Sequence, residues 1–395
     1  MATVLLAWEL GGGLGHIMQL WPYAQGLAKR GHRVVVALKD LARARTIFGN
    51  TVSYLQAPTR TRPASDQFRP PMTFAHILYG IGFGDFDELV AMGEAWRNLY
   101  EMVRPDVVIF DHSPTALLAS RGYGVKRIVV GSGFCCPPDS HPAPNLRPWV
   151  KADVEKLRQD EATVLARINE TMKLWGWPLL DHMTQMYAEA DDTFLVTFKE
   201  LDHYQDRPAS KYWGAWAQTS GKAPEWPQGS GPRIYAYLKP FPALPHLLRM
   251  LTQLKHPAVV FVDGLDAKLR EQFSAPNIHF EQRPLDLKLV SRQCDLAILN
   301  AGHGTTVSML MAGKPILQLP IYLEQGLMAR AMCQYGVGMD ASPKQPRQIA
   351  ERLQAMLRSD RYTEAAEQFA TRYADFDPQR SIEGMLDRVE ELLAQ

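Results

Sequence analysis

The feature of the sequence that most constrains the fold is a repeated alternation of short apolar runs with helical patterns. In the first half, residues 4–8, 33–38, 106–110 and 126–130 form apolar runs of strand length, and helical patterns at 17–30 and 115–121 lie between them. The same rhythm returns at residues 234–238, 258–262, 277–280, 296–299 and 316–319. Such alternation is typical of parallel sheets covered by helices on both faces. The sequence therefore predicts an α/β protein with two doubly wound sheets.

The length of the chain indicates more than one domain. At 395 residues it exceeds one ordinary core, and about 150 residues per domain suggests two or three. Residues 217–232 are rich in Gly, Pro, Ser and Gln and separate two ordered patterns, as a linker does. We therefore expect a first lobe at 1–216, a linker at 217–232, a second lobe at 233–375, and a final helix at 376–395 that packs on the first lobe.

Composition and charge argue against several classes of protein. A formal charge of +1 gives no electrostatic attraction for nucleic acid, and the first residues lack the basic start of a signal peptide. No transmembrane segment is expected, and a cytoplasmic location is predicted. The four cysteines, Cys135, Cys136, Cys294 and Cys333, fit neither a disulfide framework nor a zinc pattern, so we expect them to be reduced.

A glycine-rich turn at residues 9–16 joins the first strand to the first helix. It reads Glu-Leu-Gly-Gly-Gly-Leu-Gly-His. The G-x-G-x-x-G fingerprint of a dinucleotide site does not fit this turn, because its third glycine is missing whether the fingerprint starts at Gly11 or at Gly13. Its glycines instead permit an open turn that presents His16 at a helix start. Asp111 follows the strand at 106–110, and the carboxyl ends of parallel strands share one edge, so residues 9–15, 111–115 and 131–136 are expected on one rim.

His16 and Asp111 on one rim have the chemistry of a general base and its partner. An imidazole accepts a proton at cytoplasmic pH when a carboxylate fixes its tautomer and stabilises the imidazolium. A histidine at this position can also cap a helix, and Asp111 can be the N-cap of the following helix. The sequence alone leaves both alternatives open.

A second strand-to-helix turn, at residues 300–306, has the features of a phosphate site. It reads Asn-Ala-Gly-His-Gly-Thr-Thr and lies between an apolar strand at 295–299 and a helical pattern. Glycines allow the backbone to approach a ligand closely, and backbone amides at a helix N-terminus bind anions. A nucleotide is therefore the expected ligand.

Together these motifs resemble the GT-B glycosyltransferases, specifically the family 1 group that uses UDP- or dTDP-sugars, over nearly the whole chain. Gly15-His16, Leu27-Ala28 and the run Arg-Gly-His-Arg-Val at 30–34 are similar to the family's opening, whose first histidine is the catalytic base. The donor-binding signature of the family resembles four later stretches: residues 302–306, 313–315, Pro320 and Glu324-Gln325. The resemblance implies the GT-B fold, in which two Rossmann-like lobes face an interlobe cleft.

The resemblance also implies roles for individual residues. It assigns the donor diphosphate to Asn300, Gly302, His303, Gly304, Thr305 and Thr306, the donor sugar to Glu324 and Gln325, and the nucleobase to Gln282, Arg283 and Pro284. Lys239 and Gly15 are further candidate phosphate contacts. The sequence departs from the family where Asn300 replaces a histidine, Ala301 replaces a glycine, Gln282 stands near the place of a stacking tryptophan, and Lys239 lies where a small hydroxyl residue is expected. Two interpretations of Lys239 stay open. It replaces the phosphate contacts that these departures remove, or it is a solvated loop lysine.

The expected reaction is an inverting transfer of a sugar to a small-molecule hydroxyl. His16, oriented by Asp111, deprotonates the acceptor, which displaces the nucleoside diphosphate from the anomeric carbon. No cofactor and no metal are expected. Two aromatic-rich stretches either line an acceptor pocket or belong to the core of the first lobe. They are residues 80–84 with Phe74, Leu78 and Phe86, and residues 134–138. A GT-B epimerase, a non-catalytic nucleotide-sugar-binding subunit and a membrane-face transferase of lipid-linked sugars are alternatives.

Overall fold

The structure is a computed structural model that describes residues 1–12, 14–63, 67–216 and 221–395. The chain forms two compact units. Unit 1 contains Met1–Thr197, Tyr204–Gly214 and Pro378–Gln395, and unit 2 contains Phe198–His203 and Ala215–Asp377. Residues 217–220 of the expected linker lie outside the described residues, and residues 221–232 cluster with unit 2.

Unit 1 is built on six strands and eight α-helices within the described residues. The strands are β1 (Thr3–Trp8), β2 (Arg33–Leu38), β3 (Ser53–Gln56), β4 (Val107–Asp111), β5 (Lys126–Gly131) and β6 (Asp192–Leu195). The helices are α1 (Leu14–Lys29), α2 (Ala44–Phe48), α3 (Phe74–Leu78), α4 (Phe86–Val103), α5 (Pro114–Ala119), α6 (Val154–Trp175), α7 (Gln185–Ala188) and α15 (Pro378–Leu393), with a π-helical turn at Tyr79–Phe83.

The sheet of unit 1 is parallel throughout, in the order β3-β2-β1-β4-β5-β6. Strands β1 and β4 are almost completely buried because helices cover both faces of the sheet. The strand order reverses between β1 and β4, and ligands of open α/β sheets bind at such a switch point beyond the carboxyl ends of the strands. Trp8, at the end of β1, pairs with Asp111 at the end of β4.

Unit 2 repeats this architecture. Its strands are β7 (Ile234–Leu238), β8 (Ala258–Val262), β9 (Ile278–Glu281), β10 (Leu296–Leu299), β11 (Ile316–Gln318) and β12 (Gly338–Asp340). Its helices are α8 (Leu244–Leu254), α9 (Ala267–Gln272), α10 (Leu287–Gln293), α11 (His303–Met311), α12 (Leu323–Gln334), α13 (Pro346–Leu357) and α14 (Arg361–Arg372), with a 3-10 turn at Lys199–Leu201. The parallel order β12-β11-β10-β7-β8-β9 has its switch point between β10 and β7.

The last helix of the chain belongs to unit 1, where it packs on α1. Arg30, just after α1, bonds three carboxylates of α15, with nitrogen–oxygen distances of 2.6 Å to Glu383, 2.8 Å to Asp387 and 2.7 Å to Glu390. Apolar contacts lie beneath these ion pairs, since a Cβ on Gly26 of α1 would come within 2.3 Å of Leu386. The chain thus ends in the same unit in which it begins.

Candidate active site

The first candidate site lies at the switch point of unit 1. Asp111 is the last residue of β4, and the turn after β1 lies beside it because the backbone N–H of Leu10 donates to the carbonyl of His112 at 3.0 Å. The N-cap of α5 is Ser113, so Asp111 does not cap that helix. The structure therefore joins the turn after β1 to the end of β4.

His16, in the first turn of α1, reaches across this edge to Asp111. Its Nδ1 lies 3.1 Å from Oδ1 and 3.0 Å from Oδ2 of the carboxylate. The Asp111 side chain is 1% exposed and that of His16 is 22% exposed. A buried carboxylate bonded to Nδ1 fixes the tautomer of an imidazole and stabilises its protonated form. The two residues that the sequence singled out as a pair are in direct contact.

Three further groups hold the His16 ring in place. The indole of Trp8 stacks on it, with ring centroids 5.2 Å apart and planes 19° apart. Gly11, which has a φ of +79°, approaches so closely that a Cβ there would lie 2.3 Å from Nε2 of His16. Lys39, just after β2, donates to the carbonyl of Gly11 at 2.7 Å and fixes the turn. The glycine at position 11 is therefore required both by its φ and by the histidine.

Glu9 lies on the same rim but points into the core. Its carboxyl accepts from the hydroxyl of Thr115 at 2.6 Å and from the backbone N–H groups of Thr115 and Ala116 at 3.2 Å each. Burial raises the pKa of Glu9 to about 7, against the opposing effect of these hydrogen bonds. Because it is buried and saturated with donors, Glu9 joins β1 to the start of α5 and is not placed to contact a ligand.

His112 is a site residue that the sequence motifs do not indicate. It follows Asp111 directly, with a left-handed φ of 45°. Its ring lies 6.0 Å from that of His16 and 6.4 Å from those of Phe74 and Phe134, measured between centroids. Burial, then the charges of His16 and Lys39, lower the pKa of His112 to about 3. The imidazole is therefore neutral at physiological pH.

Two stretches were expected to line an acceptor pocket or to belong to the core. The first of them, residues 80–84 with Phe74, Leu78 and Phe86, belongs mainly to the core of unit 1. Phe74 and Leu78 are fully buried in the core cluster of unit 1. Phe134 is also nearly buried, and its ring meets that of Phe74 edge-on at 6.3 Å. The ring of His112, at the edge of the candidate site, lies 6.4 Å from each of these two rings.

The second candidate site lies at the switch point of unit 2, where the turn after β10 leads into α11. No side chain caps α11, whose N-cap is Gly302, and Cβ atoms on Gly302 or Gly304 would meet no atom within 4 Å. Ala301, where the resemblance leads us to expect glycine, has a left-handed φ of 58°. This open N-terminus fits the expected anion site.

Two of the residues expected at the diphosphate have structural contacts. The Asn300 side chain accepts from the backbone N–H of Lys239 at 2.6 Å and donates to the carbonyl of Leu319 at 2.8 Å, so it ties the ends of β7, β10 and β11 together. Thr306 is fully buried, and its hydroxyl accepts from Gln318 at 3.1 Å. Gly302, His303, Gly304 and Thr305 are at least partly exposed at the start of the helix.

The other expected donor contacts surround the same edge of unit 2. The Nζ of Lys239 lies 6.0 Å from the centre of the Tyr322 ring, just before α12. Glu324 is exposed in the first turn of α12, and the Gln325 side chain accepts from the backbone N–H groups of Ile321 at 2.8 Å and Tyr322 at 3.3 Å. Gln282, Arg283 and Pro284 form an exposed turn after β9.

His303 and Gly15 complete the expected residues. Although His303 keeps some solvent exposure, desolvation by the protein around it, then the charge of His203, lowers its pKa to about 3, while Asp202 opposes this shift. His303 is thus neutral at physiological pH. Gly15 lies exposed in the first turn of α1, in unit 1.

Carboxylate pairs of the form Asp-x-Asp occur twice in the sequence, at residues 85–87 and 375–377. Asp85 is the N-cap of α4 and accepts from the backbone N–H of Glu88 at 2.9 Å, and the second pair lies between α14 and α15. Neither belongs to the α11 turn. The described residues contain no group of three or more His, Cys, Asp or Glu side chains arranged to hold a metal ion. Their helices include none that is long and apolar enough to cross a bilayer.

Comparison with known proteins relates both units to glycosyltransferases. No protein-family model matches the chain, and no curated protein matches its sequence. Among solved structures, the calicheamicin glycosyltransferase CalG4 is 18% identical, with a TM-score of 0.71 over 100% of this chain and 98% of that one. The glycosyltransferase VinC in complex with dTDP is 16% identical, with a TM-score of 0.70 over 98% and 99%. The spinosyn rhamnosyltransferase SpnG with spinosyn aglycone is 18% identical, with a TM-score of 0.69 over 98% and 100%. At these identities the likeness concerns the fold: the chain has the GT-B fold of these glycosyltransferases, as its motifs led us to expect.

Proposed function

We propose that the protein is an inverting glycosyltransferase of the family 1 type, which moves a sugar from a nucleoside-diphosphate sugar to a hydroxyl of a small-molecule acceptor. The observation that carries the proposal is the bond between His16 and the buried carboxylate of Asp111, at 3.0 Å, at the switch point of unit 1. A protein that only bound a nucleotide sugar would have no use for a histidine fixed in this way. The pair therefore favours the transferase over a non-catalytic binding subunit.

The geometry supports a specific proton transfer. Because Nδ1 donates to Asp111, the neutral imidazole carries its lone pair on Nε2, which is the nitrogen that takes the acceptor proton. The carboxylate then stabilises the imidazolium. The acceptor oxygen attacks the anomeric carbon as the nucleoside diphosphate leaves on the opposite face, so one displacement inverts that centre.

His112 is the only other histidine that the described structure places beside His16, and it is a poor base. Its pKa is lowered to about 3, and its buried Nε2 has no hydrogen-bond partner among the described residues. At neutral pH a group with so low a pKa takes up almost no proton. We therefore assign the base to His16 alone.

The donor is assigned to unit 2. The uncapped N-terminus of α11, with Gly302 and Gly304 open to close approach, suits a diphosphate, and its amides stabilise the charge that grows on the leaving group. Lys239 adds a positive charge at the same edge. Glu324 and the amide nitrogen of Gln325 are assigned to the sugar hydroxyls, and the 282–284 turn to the base. The proposed reaction involves no metal ion.

Replacement of His16 tests the proposal. Release of UDP or dTDP from UDP-glucose or dTDP-glucose is measured with and without a panel of phenols and alcohols. Loss of a general base is expected to slow transfer about 100- to 10,000-fold in His16→Ala. His246→Ala, an exposed residue of α8, is the control and should match the wild type.

Two further readouts separate the alternatives. Binding of the nucleoside diphosphate should be unchanged in His16→Ala, because the donor site lies in unit 2. Asp111→Asn should lose transfer as well, since it no longer stabilises the imidazolium. Donor breakdown without any acceptor would favour an epimerase, and full activity of His16→Ala would exclude His16 as the base.

A further inference from the structure

The environment of His112 contains an unmatched polar atom beside the proposed base. Its Nε2 is buried and has no hydrogen-bond partner among the described residues. A buried polar atom left without a partner destabilises the folded protein. The rings of Phe74 and Phe134, each 6.4 Å from that of His112 and 6.3 Å from one another, lie together on one side of it and offer it no hydrogen bond.

The backbone holds His112 in this place. A φ of 45° is a left-handed conformation that non-glycine residues seldom adopt, and the carbonyl of His112 is fixed by the N–H of Leu10 at 3.0 Å. Strained backbone of this kind is commonly found at ligand-binding and catalytic positions. The strain and the unmatched nitrogen occur in one residue, next in sequence to Asp111.

The charge state of His112 limits what it can recognise. The ring is neutral at physiological pH, as its lowered pKa shows, so it forms ordinary hydrogen bonds and no ion pair. A neutral imidazole has one donor and one acceptor nitrogen, which suits a hydroxyl or a carbonyl.

We propose that His112 is a specificity-determining residue that hydrogen-bonds a second oxygen of the acceptor, on the carbon next to the hydroxyl that His16 deprotonates. The preferred acceptors are then compounds with two neighbouring oxygens, such as an ortho-diol. This inference rests on the proposed function, because it takes His16 to mark the acceptor site. The ring separation of 6.0 Å between His16 and His112 places the two imidazoles within reach of one small molecule.

The test compares two probes that differ by one hydroxyl, naphthalene-2,3-diol and 2-naphthol. Their dissociation constants are measured by calorimetry on the whole protein without any donor. The wild type is expected to bind the diol about tenfold more tightly, which corresponds to about 1.4 kcal/mol. His112→Phe keeps an aromatic ring without the nitrogens and should bind both probes equally.

Two variants make the result specific. His112→Asn keeps a hydrogen-bonding side chain that tolerates a left-handed backbone, so it should retain part of the preference even if His112→Phe folds poorly. His246→Phe is the matched control and should keep the full preference. The proposal is overturned if His112→Phe shows the wild-type preference, or if the wild type binds neither probe.

The outcome is distinguishable from failure of the proposed function. The probes are tested without donor, so the binding ratio does not depend on turnover. Should His16→Ala remain active, the proposed base would be wrong, yet the measured preference for the diol in the wild type and its loss in His112→Phe would still stand.

Discussion

The contact between Gly11 and His16 shows how a residue without a side chain sets the position of the proposed base. A Cβ at position 11 would overlap Nε2 of His16 at 2.3 Å, and the φ of +79° is unfavourable for any other residue. His16 cannot easily move away, because Asp111 holds Nδ1 and Trp8 stacks on the ring. The space for the base thus depends on the absence of one methyl group.

Gly11→Ala is therefore expected to impair transfer. A left-handed residue with a Cβ costs about 1–2 kcal/mol, and displacement of the base by about 1 Å lowers the rate about 100-fold. Gly12→Ala is the matched control, since a Cβ there meets nothing within 4 Å. Rates of nucleotide release with acceptor and urea unfolding curves are measured for both variants. Equal activity of the two variants would contradict the proposed position of His16.

The sequence predicts some of these residues and not others for a physical reason. His16 and Asp111 can be found because each follows a strand that its apolar run reveals, and the ends of parallel strands meet. The importance of His112 depends on a left-handed φ and on packing beside two phenylalanines, neither of which leaves a pattern in the sequence. Asn300 stands in a recognisable motif, yet its bonds to Lys239 and Leu319 appear only in three dimensions.

Among the elements, the central strands could be predicted and most edge strands could not. The motifs gave β1, β2, β4 and β5 in unit 1 and β7 to β11 in unit 2, nearly within their observed bounds. The missing strands are β3, β6 and β12, which contain only three or four residues and lie at the edges of the two sheets. Edge strands are partly exposed, so they lack the continuous apolar run of a strand that is buried on both faces.

The packing of α15 on α1 is an element-scale feature that places the end of the chain in unit 1. Met385, Leu386, Val389 and Leu392 of α15 are buried, which fits the amphipathic pattern of the helix. The ion pairs of Arg30 are partly exposed and contribute little. The contact of Leu386 with Gly26 therefore accounts for more of the packing than the charges do.

A double-mutant cycle tests this contact. Leu386→Ala is expected to cost about 2–5 kcal/mol of unfolding free energy, and Gly26→Ala about 1 kcal/mol through overlap with Leu386. In the double variant the added methyl group occupies part of the vacated space. Its loss of unfolding free energy should therefore be about 1 kcal/mol smaller than the sum of the two single losses. Urea unfolding measures the cycle. The pair Gly26→Ala and Leu392→Ala is the control and should be additive, and additive losses in the Leu386 pair would argue against the contact.

At the scale of the whole molecule, the two units have the same sheet topology. Both sheets have the strand order in which the first strand of the unit lies beside its fourth, and both place their candidate site residues after those two strands. In unit 1 these are His16 and Asp111, and in unit 2 they are Lys239 and the α11 turn. Each unit also has its own buried core cluster. Because the candidate phosphate residues Lys239 and 300–306 follow β7 and β10, we expect unit 2 to provide most of the nucleotide contacts.

Hydrogen exchange with and without ligand tests this division. UDP or dTDP should slow amide exchange in the turn before α11 and in the first turn of α12, because ligands that bind the native state stabilise it. The exchange of α15 and of the turn before α1 should be unchanged. If neither nucleotide protects the α11 turn, or if protection appears only in unit 1, the donor assignment is wrong.

The variant Lys239→Met tests whether Lys239 of unit 2 binds the phosphates of the nucleotide. If Lys239 supplies the charge that Asn300 lacks, its loss should weaken binding of UDP or dTDP about tenfold and leave the weaker binding of uridine or thymidine unchanged, because the nucleosides carry no phosphate. Lys268→Met, an exposed lysine of α9, is the matched control. Calorimetry measures all four ligands. An equal loss for nucleosides and diphosphates would show that Lys239 acts through the local fold, and no loss at all would make it a solvated loop lysine.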